Sequence, residues 1–541
     1  MKKIVALLLV LTMVLATACF AEADAKKEYP FYVPDLSGKT VTLMSADTYA
    51  DQGSFSDIMP IFKKYEEMTG VKLVWETVNT DYNTVLQTRL SSGINLPDVV
   101  SLGTKVDKLF AVNFIEDGIL ANVYDYMEDY APNMYKFFYE DRPDIRKSLT
   151  YYDGGLYVLP NTTYSQIDGQ ERYIERYGDN VIWYRKDLAE AVGINEAPTT
   201  IDEMHELLLA YKENYPEMIP MLVRDWTTWC SVYVFSGAYG MHWEHMDGCD
   251  EYFYYDEDNN IVFEPLTDAC RAFLEEMSTW YAEGLFGFNA DRTGLAASNK
   301  LCSVWVGTYG SCLSTNGLLH DNGFEGEFDA VPWLYGPEGK RGVGMRAPFA
   351  ALTGVVAGEN AATAIQFLDF AFYSEIGQIS DLLGVYEDNW NFDENGNIYQ
   401  TEDTIIAWHV DKTSNRERVG GDVHTRMTNI QSTKAEEYEY AMEIERGYRD
   451  APTEHQDAIF ADWKDACYQI LPFMFYSEDE TQIYTQYYGD IKTYVQEMMC
   501  RFIMGEESFD NWDAYVEKVH DLHIDEVVEV VQAAYDRYVN N

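Results

Sequence analysis

Between residues 40 and 102 the hydrophobic pattern switches repeatedly between the period of a strand and that of a helix, and this alternation constrains the fold more than any other feature. Thr40-Val41-Thr42-Leu43-Met44 alternates with the period of two of a half-buried strand. From Ser54 to Thr69, Phe55, Ile58, Met59, Phe62, Tyr65 and Met68 recur at helical spacing, with Ser54 as candidate N-cap. Gly70 follows, where a helix ends in a left-handed residue. Val71 to Trp75 predicts a second strand. About Asp81 to Ser92 predicts a helix with Tyr82, Val85, Leu86 and Leu90 on one face, and Pro97 introduces a third strand, Asp98 to Leu102. Strands alternating with helices build a parallel sheet through right-handed crossovers. Ligands of such sheets bind beyond the carboxyl ends of the strands. The segment after the first strand, Ser45 to Gly53, offers Tyr49 and Asp51 with hydroxyls and an amide, groups that stack on and hydrogen-bond polar ligands. No GxGxxG follows that strand, so nothing points to a dinucleotide.

The chain has 541 residues, 47% of them hydrophobic, enough for two or more lobes with their own cores. A net charge of −52 repels phosphates and argues against nucleic acid as a partner. The first 25 residues read as an export signal: a basic Met1-Lys2-Lys3, an apolar Ile4 to Ala18, then small residues. The apolar run is short for a bilayer span, and no later run of about 18 apolar residues exists. Two endings compete. Leu15-Ala16-Thr17-Ala18-Cys19 is similar to a bacterial lipobox, with Cys19 as the lipidated residue, while Ala21-Glu22-Ala23 and Ala23-Asp24-Ala25 fit ordinary cleavage. The expected location is outside the cytoplasm, lipid-anchored on the outer face of the cytoplasmic membrane or free in the periplasm. Seven cysteines follow Cys19 at irregular spacings without CxxC, and Cys302 and Cys312 are the one close pair.

Further along, Asn95-Leu96-Pro97-Asp98-Val99-Val100 is similar to an x-LPD-V/I motif. Trp183 to Leu188, Val192 to Ile194 and Ala197 to Glu203 resemble RKDWLDKLGL followed by P-TT-DE, and Tyr281 to Leu285 resembles YKEGLI. Phe502 to Gly505, Trp512 to Val516 and Ala533 to Tyr538 resemble C-terminal helices of the same group. Together these segments resemble the substrate-binding proteins of bacterial carbohydrate ABC importers, in their large lipoprotein-type branch. Each also has a plain physical role: Thr200-Ile201-Asp202-Glu203 is a capping box, and the helix it opens points Met204, Leu207, Leu208 and Tyr211 inward. The resemblance implies an α/β fold of periplasmic-binding-protein type, with two discontinuous lobes joined by a hinge and with C-terminal helices. One lobe is expected from 36–165 with 330–375, the other from 166–329 with 376–541. It implies a non-enzymatic receptor without cofactor, monomeric, that captures an oligosaccharide by hinged closure and delivers it to the permease transmembrane subunits. Relatives often carry a calcium-type loop that is deleted here between Tyr211 and Pro220, so no metal is expected there.

Sugars expose apolar faces that stack on aromatic rings, and hydroxyls that bond to carboxylates and arginine. Twelve tryptophans and 42 tyrosines supply rings in excess. Those beside polar or glycine-rich loops are the ligand candidates: Trp226 and Trp229 with Asp225, Trp305 and Tyr309, Trp333, and Trp390, joined by Arg346 for hydroxyls or a uronate. Asn391 to Glu402 nearly spells an EF-hand loop, but Asn395-Gly396 within it is a hairpin signal, and the turn is the expectation. Asp256 to Asn260 reads as another turn. His242, His245 and Cys249 match no zinc spacing. Two other readings stay open: an extracellular polysaccharide-active enzyme, and a peptide-binding receptor on the same fold.

Overall fold

The structure, a computed structural model, describes residues 29–46, 59–102, 108–162, 182–223, 232–242, 252–288, 291–305, 309–344, 351–406, 429–430, 467–468 and 471–540, with isolated positions between 432 and 466. The stretch expected to be an export signal, with Cys19, lies outside these residues.

β1 (Thr40–Ala46), α1 (Pro60–Thr69), β2 (Lys72–Val78), α2 (Tyr82–Ser92) and β3 (Val99–Ser101) follow the alternation read from the sequence. α1 starts later than its pattern suggests. Met59 is extended (φ −116°, ψ 106°), as proline imposes on the residue before it, and Pro60 occupies the first turn, where no N–H is needed. Ser54 lies outside the described residues. Gly70 ends α1 in the left-handed region (φ 74°), with its N–H on the Glu66 carbonyl. α2 buries Tyr82, Leu86 and Leu90, whereas Val85 is 40% exposed, so the apolar face is narrower than expected. α3 (Lys108–Glu116), α4 (Pro143–Leu149) and β4 (Val158–Thr162) complete this first passage.

The second passage runs through β5 (Ile182–Arg185), α5 (Ile201–Asn214), β6 (Met221–Val223), the β7–β8 hairpin (Phe253–Tyr255, Ile261–Phe263), α6 (Asp268–Ala282), β9 (Phe286–Phe288), β10 (Ser303–Trp305), α7 (Tyr309–Asp321) and β11 (Phe328–Ala330). The capping box of α5 forms as read: Glu203 N donates to Thr200 Oγ1 at 3.1 Å, and Thr200 N to Glu203 Oε2 at 3.2 Å. Met204, Leu207, Leu208 and Tyr211 are buried beneath it; such burial stabilises by about 1.5–3 kcal/mol per large apolar side chain. The chain then returns through β12 (Val343–Gly344), β13 (Ala351–Val355), α8 (Ala361–Leu368), α9 (Glu375–Leu383), the β14–β15 hairpin (Trp390–Phe392, Ile398–Gln400) and β16 (Asn429–Ile430). It ends with β17 (Cys467–Tyr468) and three helices, α10 (Glu478–Met504), α11 (Trp512–Asp521) and α12 (Ile524–Asn540).

Two main sheets result. The first has the order β16-β4-β13-β3-β1-β2 and the second β11-β5-β10-β6-β9. Each sits on its own core. Leu43, Val100, Leu159, Leu352 and Ile365 belong to one, and Trp183, Leu207, Met221, Trp280 and Val531 to the other. The cores depart from the expected lobe boundaries in several respects. Ala330, Val331, Trp333 and Leu334, expected in the first lobe, enter the second core. Residues 376–405 do not join the second core. Ile376, Ile379, Leu383 and Trp390 form a satellite cluster with Tyr29 and Phe31, which also pack on the first core. Lys64 of α1 pairs with Glu387 at 3.2 Å, and β16 is an edge strand of the first sheet. The segment at 471–476 belongs to both lobes: Leu471, Met474 and Tyr476 enter the second core, and Phe473 and Phe475 the first. Cys302 and Cys312 are separate buried thiols, not a disulfide. Among the described residues no helix is long and apolar enough to cross a membrane.

Candidate functional site

Strand direction decides where a ligand can sit. In the first sheet β2 and β3 run parallel to β1, and β13 runs antiparallel to both β3 and β4. β1, β2, β3 and β4 therefore end on one edge, the edge where β13 begins. In the second sheet β6, β9 and β10 are parallel, and β5 is antiparallel to β10 and to β11. β6, β9, β10 and β11 end on one edge, where β5 begins. One connection leads from the end of β4 to the start of β5, and a second from the end of β11 to the start of β13. Both join the carboxyl edge of one sheet to that of the other, so both crossings leave from these edges. This is the position at which open α/β sheets bind ligands.

Several of the sequence candidates follow, in the chain, strands that end on these edges. Tyr49 and Asp51 follow β1, which ends at Ala46; Asp225, Trp226 and Trp229 follow β6, which ends at Val223. Trp305 is the last residue of β10, and Tyr309 is the first of α7. Arg346 lies between β12 and the start of β13. β6 and β10 are hydrogen-bonded neighbours in parallel, Val304 opposite Leu222, so their carboxyl ends lie side by side. Tyr49, Asp51, Asp225, Trp226, Trp229 and Arg346 themselves lie outside the described residues.

Trp333 and Trp390 differ from the rest. Trp333 stands on the second crossing, three residues beyond β11, but its ring is 4% exposed in the second core and its buried indole N–H has no hydrogen-bond partner. Trp390 is fully buried in the satellite cluster, and its indole N–H donates to the Gly384 carbonyl at 2.9 Å. Trp390 is thus a core residue whose ring is covered by protein; the polar surroundings that singled it out belong to the β14–β15 hairpin.

The floor beneath the first edge is polar, which the sequence reading missed. Ser45, Ser101, Asn161 and Thr353 are buried in β1, β3, β4 and β13. The Tyr82 phenol donates to the Ser101 carbonyl at 2.7 Å and lies 3.1 Å from that of Met44; burial raises its pKa. The signal for Asn161 was present in Val158-Leu159-Pro160-Asn161-Thr162, where an apolar run turns polar at a strand end.

The second crossing packs onto the segment that follows the Trp226 region. Residues Val232–Tyr239 form a buried 3-10 helix. A Cβ on Gly237 would lie 1.8 Å from the Gly342 carbonyl oxygen, and one on Gly336 would lie 1.8 Å from that of Ala238. Backbone meets backbone there, and only glycine fits.

Groups considered for metals have other partners. Asp393 accepts from the backbone N–H groups of Asn395 and Asn397 at 2.8 Å, and Gly396 takes φ 82°, so Asn391 to Glu402 contains the hairpin turn read from the sequence. Asp256 caps the β7–β8 turn through Asp258 and Asn260. His242 donates its backbone N–H to the buried Glu264 at 2.6 Å and stacks on Tyr254. Burial raises the pKa of Glu264, and the His242 bonds oppose that rise.

Several solved proteins share this fold. The substrate-binding protein FusA of S. pneumoniae, in complex with kestose, matches with TM-score 0.67 and 17% identity over 93% of this chain and 100% of that chain. An HMO-binding solute-binding protein of Bifidobacterium longum infantis matches with TM-score 0.68 and 18% identity over 93% of this chain and 99% of that chain. The N-glycan transport protein NgtS of Streptococcus pneumoniae matches with TM-score 0.56 and 13% identity over 93% and 99%. No curated protein matches the chain. Residues 49–376, more than half of the sequence, match the bacterial extracellular solute-binding protein family. This chain, with its two main α/β sheets each on its own core, belongs to that family.

Proposed function

We propose that this protein is the extracytoplasmic receptor of an ABC importer and that it captures an oligosaccharide between its lobes. The two crossings that join carboxyl edge to carboxyl edge carry the reading: in open α/β sheets ligands bind beyond these edges, and lobes joined there close on a solute. The similar proteins bind kestose, HMO and N-glycan by name, and a chain of net charge −52 favours an uncharged sugar among them. Trp226, Trp229, Trp305 and Tyr309 supply rings from the second lobe, and Tyr49, Asp51 and Arg346 supply groups from the first. Asp225 accepts from hydroxyls, and the unpartnered Trp333 N–H donates to one. The protein does no chemistry on the ligand, works as a monomer, and passes the sugar to the permease. Cys19 carries a lipid anchor that keeps it beside that permease; Cys19→Ala would then release it from the membrane fraction.

A thermal-shift screen of the mature protein against neutral oligosaccharides, uronate oligosaccharides and peptides tests the reading. A ligand at about 100 times Kd adds roughly 2.7 kcal/mol of stability. A shift with a neutral glycan, recovered unchanged by mass spectrometry, supports it. Response to peptides alone, or consumption of the glycan, overturns it.

A further inference from the structure

An asparagine followed by glycine is chemically labile, because no side chain shields the glycine nitrogen from the asparagine carboxamide. The chain has three such pairs, Asn316-Gly317, Asn322-Gly323 and Asn395-Gly396. The fold treats them differently.

Asn316 lies within α7, and a residue of β11 holds both ends of its carboxamide. Nδ2 donates to the Phe328 carbonyl at 2.9 Å, and Oδ1 accepts from Phe328 N at 2.7 Å. A reaction there must unwind α7 and part it from β11. Asn322 follows the last turn of α7. Its Nδ2 donates to the Leu318 carbonyl at 2.9 Å, Gly323 N donates to that of His320 at 2.9 Å, and Phe324 packs on the second core. Asn395 stands at the exposed tip of the β14–β15 hairpin, a two-stranded sheet. Among the described residues its carboxamide meets only the Asp393 carboxylate. One turn bond restrains the glycine nitrogen, from Gly396 N to the Asp393 carbonyl at 3.0 Å. Two-stranded hairpins are marginal by themselves and exposed tips open at little cost, whereas a helix packed on a core opens only with much of the domain.

We propose that Asn395 is the site at which this protein deamidates, and that the reaction loosens the hairpin. When the turn opens, hydroxide takes the Gly396 N–H proton and the nitrogen attacks Asn395 Cγ. The new C–N bond closes a succinimide, the Cγ–Nδ2 bond breaks, and ammonia leaves with a proton from water, which restores the hydroxide. Water then opens the ring. Attack at the side-chain carbonyl leaves aspartate. Attack at the backbone carbonyl leaves isoaspartate, with one more methylene in the main chain. Asp393 N donates to the Asn397 carbonyl at 2.8 Å, and Asn397 N returns to Asp393 Oδ1 at 2.8 Å. Both bonds close over the inserted atom and cannot keep their geometry. Beyond the turn Phe392 pairs with Ile398 and the buried Trp390 with Gln400, so the damage reaches the satellite cluster.

The test ages the full mature chain in mildly alkaline buffer, folded and in urea. Peptide mapping and isoaspartyl methyltransferase labelling locate the product. In the folded protein isoaspartate should form at Asn395 about tenfold faster or more than at Asn316 or Asn322, and in urea the three rates should converge. Hydrogen exchange across residues 390–400 should rise in the aged wild type. It should stay unchanged in aged Asn395→Gln, whose longer side chain closes a larger ring far more slowly. Asn395→Asp, which adds the charge without the methylene, should exchange as the fresh wild type does. Equal rates at the three sites in the folded protein overturn the proposal. So does a preference for Asn395 that persists in urea, or unchanged exchange once Asn395 is converted.

Discussion

Arg185 and Asp187 face each other as fork and carboxylate: Nε and Nη2 each lie 2.7 Å from a different carboxylate oxygen. The guanidinium is 1% exposed at the end of β5, and its Nη1 reaches Asn299 Oδ1 at 2.5 Å. The same arrangement recurs in the first lobe, where Arg142 forks onto Asp144 at 2.8 and 2.5 Å. In both pairs a buried arginine is neutralised by the aspartate two residues on. This fork underlies the Arg185-Lys186-Asp187 motif noticed in the sequence, and its role is to hold the lobe together, not to bind ligand.

Asp187→Ala should therefore destabilise the protein by about 2–4 kcal/mol. Its carboxylate is 33% exposed, which lowers the loss below that of a fully buried pair. Lys136→Ala, which breaks the exposed pair with Asp141, should cost under about 1 kcal/mol. Urea midpoints measure both, and equal losses would mean the fork has no special weight.

Asp369 accepts from Met134 N and Asn133 Nδ2, both at 2.7 Å, and burial lifts its pKa from 3.8 to about 6. The folded state thus favours the protonated acid. Its contribution to stability is full below about pH 4 and is lost as pH rises through 6. Between pH 7 and pH 5 the wild type should gain about 1–1.5 kcal/mol relative to Asp369→Asn. A pH-independent difference between the two proteins would contradict this.

Trp390 and Trp226 should behave oppositely. Trp390 packs edge-on against Tyr386 and Phe392, with centroids 5.1 and 5.3 Å away. Trp390→Ala should cost about 3–5 kcal/mol of stability and leave ligand affinity alone. Trp226→Ala should leave Tm alone and weaken ligand binding by about 1–3 kcal/mol. Calorimetry on both variants separates the roles, and the reverse pattern would return Trp390 to the cleft.

Two glycines make a similar contrast. Gly237→Ala drives a methyl into the Gly342 carbonyl and should cost about 1–3 kcal/mol or more. Gly317 lies exposed within α7 with nothing within 4 Å of an added Cβ, so Gly317→Ala should stabilise by about 0.5–1 kcal/mol. Thermal unfolding decides the sign of each.

The local features of this fold were legible from residues alone. β1, β2 and β3, the Gly70 terminus, the capping box at Thr200 and Glu203 and the turn at Asn395-Gly396 each depend on a few neighbouring side chains. The start of α1 was misread because the apolar spacing from Phe55 to Met59 outweighed Pro60, although proline governs the conformation of the residue before it. Residues 330–334 and 376–405 pack away from the cores expected for them, because a chain that returns carries no local mark of the core it joins. Ring depth was equally hidden: Trp390 looked like a loop residue and is buried.

Sequence alone determined the alternation of strand and helix, the caps and turns, and the motifs that mark the family, since all of these act over a handful of residues. Tertiary structure decided which strands share a sheet, that both crossings leave from carboxyl edges, which tryptophans are core, and that Lys147 meets Tyr538. Those outcomes join residues far apart in the chain: the Lys147 and Val539 contact spans 392 positions. No local pattern encodes such a pairing, because it is the packing of whole lobes and crossings that brings the two ends together.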